Sequence, residues 1–442
     1  MIKCDSRKVN KGDIFIALRG INSDGHDYIE EAIKNGATKI IAEHGNYEVE
    51  TIIVENTREY LNKYLYDNYY SEIKDLKIIG ITGTNGKTTT CYLLYQALNM
   101  LNIKCAYIGT LGFYNLEYQC ELNNTTPDIL DLYEMLLYCS KNNYQYVAME
   151  VSSQGLAYNR LANILFDYAI FTNLTEDHLD YHQNMDNYIK AKQKLFNQLK
   201  TNSITIINSD DMYHEYFKQE NSLTYGFKNS DHLINNYQES LLGSSFTLNN
   251  QEYQTKLIGK HNIYNLSIVI IILETMKFNY ETIYNVILKL EHAKGRMDAI
   301  KYKDNLIIID YAHTPDAVEK IINCVRNLGK KIITIIGCGG NRDKQKRPIM
   351  GKIATKLSDY VIFTSDNPRN EDPHSIIQDI IQKLDTNNYE IEENREKAIK
   401  KGIQKLKNND ILLLLGKGHE NYQIINDKKY PFSDMEMVLK NI

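Results

Sequence analysis

The chain has 442 residues, of which 43% are hydrophobic and 24% are charged, and its formal net charge is −5. This length is enough for about three domains, and the composition is that of an ordinary globular protein. The negative net charge gives no reason to expect nucleic-acid binding. Seven scattered cysteines without a Cys-x-x-Cys pair indicate reduced thiols in a cytoplasm rather than disulfides or a zinc site. No secretory signal is evident, and the apolar runs fall far short of the roughly 20 residues of a membrane span.

Residues 1–76 are predicted to form a small α/β domain, with strands near 12–18, 38–42 and 51–54 and a helix over 29–35. Two polar clusters lie at turns, one around Ser6 and one around His26. Both clusters are compatible with turn and capping chemistry. They are equally compatible with a site for the end of a nucleotide, in which Ser6 and His26 donate hydrogen bonds.

The stretch Ile78-Ile-Gly-Ile-Thr-Gly-Thr-Asn-Gly-Lys87-Thr-Thr-Thr90 predicts a strand, a glycine turn and a helix. In this arrangement, backbone N–H groups and a helix N-terminus face a phosphate chain. We expect Lys87 on the β- and γ-phosphates and the Thr88 hydroxyl on Mg²⁺. The pattern is a tighter variant of the general phosphate loop, because position 81 is Ile where that loop has its first glycine. The alternative is a β–α turn with a solvated lysine, but a helix that opens on these residues needs an anion to stabilise it.

Residues 77–298 are predicted to form the domain headed by this loop, with a mostly parallel sheet and helices on both faces. Binding groups should lie at the carboxyl ends of its strands. Polar clusters occur there, including one at 124–128. Glu150 ends a strand and is either a Mg²⁺ ligand or a capping or salt-bridged carboxylate. By charge alone, His178 is as compatible with capping as with metal binding, and Lys192 would extend to solvent.

Residues 299–442 are predicted to form a third α/β unit, joined through a linker near 295–298. Four of its strands, near 305–310, 331–336, 360–364 and 410–415, end in polar loops marked by glycine or proline. One rim of this sheet should therefore bear many functional groups. Arg296 in the linker either reaches a γ-phosphate or forms an ordinary salt bridge.

Taken together, these loops resemble the Mur ligase family, the ATP-dependent amino-acid-adding enzymes of peptidoglycan synthesis. Ten motifs occur in the family's order over essentially the whole chain: Asp-Ser-Arg, Gly-Thr-Asn-Gly-Lys-Thr, Asn-Thr-Thr-Pro, Glu-Val-Ser-Ser, Asp-His-Leu-Asp-Tyr-His, Tyr-x-x-Ala-Lys, Gly-Arg-Met, Asp-Tyr-Ala-His-Thr-Pro-Asp, Asp-Asn-Pro-Arg and Gly-Lys-Gly-His-Glu. The resemblance implies an α/β fold of three domains, each a mostly parallel sheet flanked by helices, around a central P-loop ATPase-like domain. The three domains would bind the UDP substrate (1–76), ATP (77–298) and the amino acid (299–442).

The resemblance also implies roles for individual residues. The catalytic group comprises Lys87, Glu150, His178 and Lys192, with Lys192 carbamylated and Thr88, Glu150 and His178 as ligands of two Mg²⁺ ions. ATP, the co-substrate, would be bound by Gly83, Thr84, Asn85, Gly86, Lys87, Thr88, Thr89, Asn262, Arg296, Asp310 and His313. The UDP-muramoyl peptide would be bound by Ser6, His26, Asn124, Thr125, Thr126, Ser152 and Arg160. The incoming amino acid would be bound by Arg342, Asp366, Asn367, Arg369, Gly416 and Glu420.

The implied partners are UDP-N-acetylmuramoyl-dipeptide, ATP and a diamino acid, and a cytoplasmic monomer is expected. The Asp-Asn-Pro-Arg form is typical of relatives that add meso-diaminopimelate, because Arg369 can bind a second carboxylate in bidentate fashion. L-lysine and meso-lanthionine are the alternatives. A phosphotransferase or NTPase of another pathway, and a regulatory protein descended from a ligase, are the alternative classes. Tyr158 and Cys4 depart from residues common in the family and leave details of substrate contact open.

Overall fold

The computed structural model describes residues 2–20, 23–240, 243–293, 295–326 and 328–442. These residues form open sheets of four, eleven and six strands and a separate two-stranded hairpin. The predicted α/β class is therefore confirmed. Among the helices that the structure describes, none is long and apolar enough to cross a bilayer.

The first sheet is parallel throughout, with its strands in the order β1-β2-β3-β4. Its strands and the helices that follow them are β1 (Ile2–Lys3), β2 (Ile14–Ile16), α1 (Ile29–Lys34), β3 (Lys39–Ala42), β4 (Glu50–Ile53) and α2 (Thr57–Ile73). Phe15 and Ile40 pack against α1 on one face. Ile16 and Ile41, on the other face, join Leu61 of α2 in a core that continues into the second sheet.

Helix α2 was not predicted from the sequence. Asn56 caps it by accepting hydrogen bonds from the N–H groups of Arg58 and Glu59 (2.9 and 3.0 Å). Many of its residues are tyrosines and charged residues, so its sequence shows no clear apolar stripe that would predict a helix. It is stabilised by packing between the first two sheets rather than by its own amphipathic pattern.

The second sheet has the order β15-β14-β13-β12-β11-β10-β5-β9-β6-β7-β8. Its strands are β5 (Lys77–Thr82), β6 (Cys105–Gly109), β7 (Gly112–Tyr114), β8 (Gln119–Cys120), β9 (Tyr146–Glu150), β10 (Phe166–Phe171), β11 (Leu199–Asn208), β12 (Leu223–Gly226), β13 (His232–Ser240), β14 (Gly243–Leu248) and β15 (Gln251–Thr255). Its helices are α3 (Lys87–Met100), α4 (Ile129–Lys141), α5 (Ser153–Ala157), α6 (Leu179–His182), α7 (Met185–Gln193), α8 (Lys260–Thr275) and α9 (Tyr280–Lys289).

The strands from β13 to β6 in this order run parallel, as predicted, and antiparallel strands extend both edges. The sequence did not predict these antiparallel edges. Both faces of the central strand β5 are buried: Ile78 belongs to one core cluster, and Ile79 and Ile81 belong to the other. A strand that is buried on both faces has apolar residues at successive positions, which explains the continuous apolar sequence at 78–81.

The third sheet has the order β16-β17-β21-β18-β19-β20 and is parallel except at β16. Its elements are β16 (Asp298–Tyr302), β17 (Asn305–Asp310), α10 (Pro315–Val325), β18 (Ile332–Ile336), α11 (Lys346–Leu357), β19 (Tyr360–Phe363), α12 (Pro373–Ile381), β20 (Tyr389–Ile391), α13 (Arg395–Lys405) and β21 (Ile411–Leu415). The chain ends with the hairpin β22 (Tyr422–Ile425) and β23 (Lys428–Pro431) and with α14 (Asp434–Asn441). The predicted domain boundaries remain a prediction.

Two features of this architecture position the functional residues. β5 lies between β9 and β10, so the loops that follow these three parallel strands emerge at the same edge of the sheet. The third sheet faces this edge, because the Asn85 side chain donates to Asp316 of α10 (Nδ2 to Oδ2, 2.6 Å). The phosphate loop and the rim of the third sheet therefore lie against each other.

Candidate active site

The loop between β5 and α3 has the backbone shape of an anion site. Gly83 and Gly86 have φ angles of +147° and +89°, which residues other than glycine rarely adopt. A Cβ at position 83 would also lie 2.0 Å from Oγ1 of Thr172. Among the described residues, no side chain caps the N-terminus of α3. The first N–H groups of this helix are thus available to a phosphate.

Two lysines meet at this loop. Lys87 Nζ donates to the carbonyl oxygens of Gly83 and Thr84 (both 2.8 Å), and Lys192 Nζ donates to the same Gly83 oxygen (2.8 Å). Lys192 is only 1% exposed, and its Nζ lies 4.6 Å from the ring centroid of Tyr188. Burial lowers the pKa of both amines, and the charge of Lys87 lowers the pKa of Lys192 further. The expected extension of Lys192 to solvent is therefore wrong, because α7 packs this side chain against the loop.

Glu150, at the end of β9, is fully buried and accepts several hydrogen bonds. Its donors are the Tyr107 hydroxyl (2.5 Å), the Thr110 N–H (2.9 Å) and the Thr88 hydroxyl (2.8 Å). The first residue of the predicted magnesium set, Thr88, is thus in direct contact with the second. Arg296 reaches the same hydroxyl, with Nη2 3.4 Å from Thr88 Oγ1.

His178 begins α6 with a left-handed backbone (φ +55°), and its side chain is 46% exposed. Its Nε2 lies 3.5 Å from Oδ2 of Asp177. Burial within the cavity lowers the pKa of His178, and Asp177 opposes this effect. A lowered pKa favours the neutral imidazole, which is the form that can bind a metal. Among the described residues, there is no preformed cluster of three or more His, Cys, Asp or Glu ligands.

One cavity of about 490 Å³ brings the catalytic and amino-acid-binding predictions together. Its wall includes Lys87 and Lys192, from two helices of the second sheet, and Arg369, from a loop of the third sheet. The other predicted residues along its wall are Thr84, Asn85, Gly86, Thr88, Asn124, Thr125, Glu150, Ser152, Arg160, His178, Arg296, His313, Arg342, Asp366, Asn367, Gly416 and Glu420.

A second cavity, of about 570 Å³, begins on the other side of the phosphate loop. It contains three further predicted ATP contacts, Thr89, Asn262 and Asp310, whereas Gly83 is in the lining of neither cavity. Asn85, Gly86 and Arg296 line both cavities. Asn262 donates to the carbonyl oxygen of Ile258 (2.8 Å), and Asp310 accepts from the N–H of Met297 (2.9 Å). Burial raises the pKa of Asp310.

The end of the first cavity formed by the third sheet's loops combines the guanidinium groups of Arg342 and Arg369 with the carboxylates of Asp366 and Glu420. Arg369 donates to the carbonyl oxygen of Gly340 (2.8 Å), and within the described part of the chain neither it nor Arg342 forms an ion pair. Asn367 donates to Glu420 Oε2 (2.7 Å). Burial raises the pKa of Glu420, as does the neighbouring Asp366. Such an end suits a molecule with both a carboxylate and an ammonium group.

Three predicted residues of the UDP-substrate set lie outside both cavity walls. Thr126 is buried, donates to the Glu150 carbonyl oxygen (2.9 Å) and accepts from the Ser152 N–H (2.9 Å), so it holds the 124–126 loop to β9. Ser6 donates to Glu31 (2.7 Å). His26 accepts from the Glu43 N–H through Nε2 (3.0 Å), so its Nδ1 donates to Asp24 (2.6 Å). Both ring nitrogens of His26 therefore have partners, and the uridine role of Ser6 and His26 remains a prediction.

Sequence reasoning missed several residues that complete the site. Lys417 is fully buried and donates to Glu420 (3.0 Å) and Asn367 (3.2 Å), and its place within a recognised motif was the available signal. Tyr107 and Thr110 hold Glu150, and no sequence pattern pointed to them. Tyr311 lies under the Arg296 guanidinium (4.8 Å to the ring centroid) and also belonged to a recognised motif.

Comparison with known proteins places these features in a family. The Mur ligase family catalytic domain matches residues 1–77, the Mur ligase middle domain matches 81–273, and the Mur ligase glutamate ligase domain matches 295–418. The chain is 41% identical to the UDP-N-acetylmuramoyl-L-alanyl-D-glutamate–2,6-diaminopimelate ligase of Fusobacterium nucleatum, and the match covers 100% of this chain and 93% of that protein. It is 40% identical to the ligase of the same name in Aquifex aeolicus, over 99% of this chain and 92% of that one.

Solved structures agree with this assignment. A UDP-N-acetylmuramoyl-L-alanyl-D-glutamate–2,6-diaminopimelate ligase superposes with a TM-score of 0.68 at 33% identity, covering 100% of this chain and 94% of the other. A MurF ligase from Thermotoga maritima, in complex with ADP, superposes with a TM-score of 0.70 at 20% identity, covering 99% and 96% of the two chains. The second likeness shows the shared three-domain fold.

The buried amine of Lys192 leads to a stability prediction for the unliganded protein. Lys192→Met should raise the free energy of unfolding by about 1 kcal/mol at pH 7, because an apolar side chain of similar length removes a desolvated cation. The Gly83 oxygen keeps its bond from Lys87. Thermal melting in buffer depleted of carbon dioxide measures the effect, and Lys190→Met, on the exposed side of α7, is the matched control.

The advantage of Lys192→Met should also depend on pH. Since burial lowers the pKa of Lys192, the unfolded chain binds more protons above the folded-state pKa, and the stability of the unaltered protein rises with pH. The difference between the two proteins should therefore shrink as pH rises toward about 10, the ordinary lysine pKa. A difference that grew with pH would contradict this account of the buried amine.

Proposed function

The chain belongs to the Mur ligase family of ATP-dependent amino-acid ligases, and on this premise we propose that it adds meso-diaminopimelate to UDP-N-acetylmuramoyl-L-alanyl-D-glutamate in peptidoglycan synthesis. The observation that supports the proposal is the first cavity. Its wall combines a lysine of the glycine loop, a buried carboxylate next to a hydroxyl, and two guanidinium groups that form no ion pair with any described residue. These are the groups needed to meet a triphosphate, a metal ion and a dicarboxylic amino acid in one place.

The proposed reaction activates a carboxylate before it forms an amide. The γ-carboxylate of the D-glutamyl residue attacks the γ-phosphorus of ATP, which breaks the bond to the β-phosphate oxygen and leaves ADP and an acyl phosphate. The amino group of the diamino acid then attacks the acyl carbon. The tetrahedral intermediate collapses with loss of phosphate, and the nitrogen loses a proton to give the amide.

Lys87 and the N-terminus of α3 stabilise negative charge on the transferring phosphoryl group, and Arg296 approaches the same point from the linker. Removing one such electrostatic group typically raises a barrier by about 3 kcal/mol. The second cavity, with Asn262 and Asp310, takes the nucleoside portion of ATP, while His313 contacts the phosphates. In this proposal, domain 1–76 binds the UDP substrate, domain 77–298 binds ATP, and domain 299–442 binds the amino acid.

The residues present fit a magnesium requirement. Thr88 and Glu150 place a hydroxyl and a carboxylate in contact, and His178, which shares their cavity, has a lowered pKa. Mg²⁺ is often held by one or two protein oxygens together with water and phosphate oxygens, so a cage of many side chains is not needed. Bound magnesium would neutralise phosphate charge and polarise the phosphoryl group.

Lys192 is proposed to be carbamylated. The modification needs a neutral amine, and burial together with Lys87 lowers the pKa of Lys192. The carbamate replaces a cation with an anion, which removes the repulsion from Lys87 and provides oxygens near the metal site.

For the acceptor peptide, we propose contacts from Asn124, Thr125, Ser152 and Arg160 along the cavity wall, with Thr126 holding their loop. Ser6 and His26 remain proposed contacts to uridine. For the amino acid, Arg342 and Arg369 bind the distal carboxylate, while Asp366, Asn367 and Glu420 bind the ammonium group beside Gly416. L-lysine lacks this second carboxylate, so the two arginines favour the dicarboxylic amino acid.

We also propose that the enzyme is a monomer in the cytoplasm. All seven cysteines are free, two of them exposed, which suits a reducing compartment. The nucleotide substrates are those of the cell interior.

Phosphate release tests the function directly. Release should require ATP, Mg²⁺, UDP-muramoyl-dipeptide and the amino acid together, and meso-diaminopimelate should support it better than L-lysine. Lys87→Ala should reduce the rate at least about 100-fold. Release without either acceptor would instead identify a phosphotransferase or a plain NTPase.

Lys192→Ala should lower kcat about 100-fold, and millimolar formate or acetate should restore part of the loss by occupying the place of the carbamate. The matched control is Lys190→Ala on the exposed face of α7. Normal activity in Lys192→Ala would exclude a catalytic carbamate. A ¹³C resonance from labelled bicarbonate, absent in the variant, provides a readout independent of turnover.

Arg369→Ala should raise KM for meso-diaminopimelate about 10- to 100-fold and leave KM for ATP within about twofold, because a charge-assisted bond is worth about 1.5–3 kcal/mol. Lys352→Ala removes a positive charge from the exposed face of α11, which belongs to the same α/β unit, and is the control. Equal changes in both constants would contradict the assignment of this end of the cavity.

A further inference from the structure

The hairpin β22–β23 pairs with a loop rather than with any of the three sheets. Its two strands form a sheet of their own, joined by a two-residue turn at Asn426 and Asp427. Ile425 forms an isolated parallel bridge with Arg369. The hairpin therefore lies along the segment 365–370, which contains three of the six proposed amino-acid-binding residues, Asp366, Asn367 and Arg369.

Hydrogen bonds connect the hairpin to successive residues of this segment. Gln423 Nε2 donates to the Asp366 carbonyl oxygen (2.6 Å) and to Ser365 Oγ (3.3 Å). The Ile424 N–H donates to Asn367 Oδ1 (2.9 Å). At the turn, Asp427 accepts from the Asn370 side chain (2.8 Å).

Arg369 itself is held on both sides of its Cα. Its N–H donates to the Ile424 carbonyl oxygen (2.9 Å), and its own carbonyl oxygen accepts from the Asn426 N–H (2.8 Å). Its φ of +51° lies in the left-handed region, which residues other than glycine seldom adopt. The two backbone bonds hold a conformation that an unsupported arginine would leave.

The hairpin contributes little to the hydrophobic core. All four residues of β23 are exposed, and the β22 residues are half-buried or exposed. Its principal contacts are the hydrogen bonds to the segment 365–370 and to its own partner strand. Positioning that segment is therefore a better account of the hairpin than stabilisation of the fold.

We propose that this hairpin determines amino-acid specificity by fixing Arg369 in the left-handed conformation that aims its guanidinium at the distal carboxylate of the substrate. The proposal rests on the proposed function of the first cavity. Tyr422 of β22 also lines the first cavity, but the hydrogen bonds described above act on selectivity through Arg369. Loosening it should weaken selection for a second carboxylate while leaving ATP binding intact.

The test is a double variant, Gln423→Ala with Asp427→Gly, which removes the side-chain bonds to Ser365, Asp366 and Asn370. Glycine suits the positive φ of +59° at position 427. We expect kcat/KM for meso-diaminopimelate to fall about tenfold and kcat/KM for L-lysine to stay within about twofold. KM for ATP should not change, and thermal melting confirms that the variant is folded. Lys428→Ala, an exposed change on the same hairpin, should keep the unaltered selectivity.

A double-mutant cycle separates positioning from general damage. In an Arg369→Ala background, the hairpin changes should cause no further loss of selectivity, because the guanidinium group that they position is absent. An equal loss for both amino acids, or the same additional loss without Arg369, overturns the proposal. Unchanged selectivity in the double variant overturns it as well.

The outcomes also distinguish this proposal from the proposed function. If the unaltered enzyme does not prefer the dicarboxylic amino acid, the proposed function fails and the hairpin proposal falls with it. If the unaltered enzyme shows the preference and the double variant retains it, only the hairpin proposal fails.

Discussion

The ammonium groups of Lys87 and Lys192 share a single carbonyl oxygen, that of Gly83, and the rest of the site depends on this contact. Burial of Lys192 lowers the pKa of its amine, and repulsion from Lys87 on the same acceptor lowers it further. Incoming phosphates, or a carboxylate formed on Lys192, would relieve the repulsion. A chain with a net charge of −5 can still offer local positive charge to a polyanion at this loop, because two lysines meet there.

The sheet topology explains why these groups meet. β5 ends at the phosphate loop, its neighbour β9 ends at Glu150, and its other neighbour β10 leads to His178. Parallel neighbours release their loops at one edge, so residues far apart in sequence become adjacent. The third sheet completes the cavity from outside, and the Asn85–Asp316 hydrogen bond joins the two sides.

Much of this arrangement could be predicted from the sequence, because buried parallel strands leave continuous apolar runs and their polar ends form recognisable motifs. The strand 305–310 was predicted with the bounds it has in the structure. Helix α2 and the antiparallel edge strands of the second sheet, β14 and β15 at one edge and β7 and β8 at the other, were not predicted, since their formation depends on packing and edge pairing more than on local pattern. Lys192 was misjudged on charge alone, because only the packing of α7 shows that it points inward. Tyr107, which holds Glu150, has no local signal at all.

The pairing of the hairpin with the segment 365–370 has a consequence for protein engineering. Two stretches 57 residues apart in the chain are joined by hydrogen bonds into one structural unit. Grafting the Asp-Asn-Pro-Arg loop from a homologue without the matching hairpin would transfer the sequence of the motif but not its backbone conformation. Redesign of this ligase should therefore treat the two stretches as one cassette.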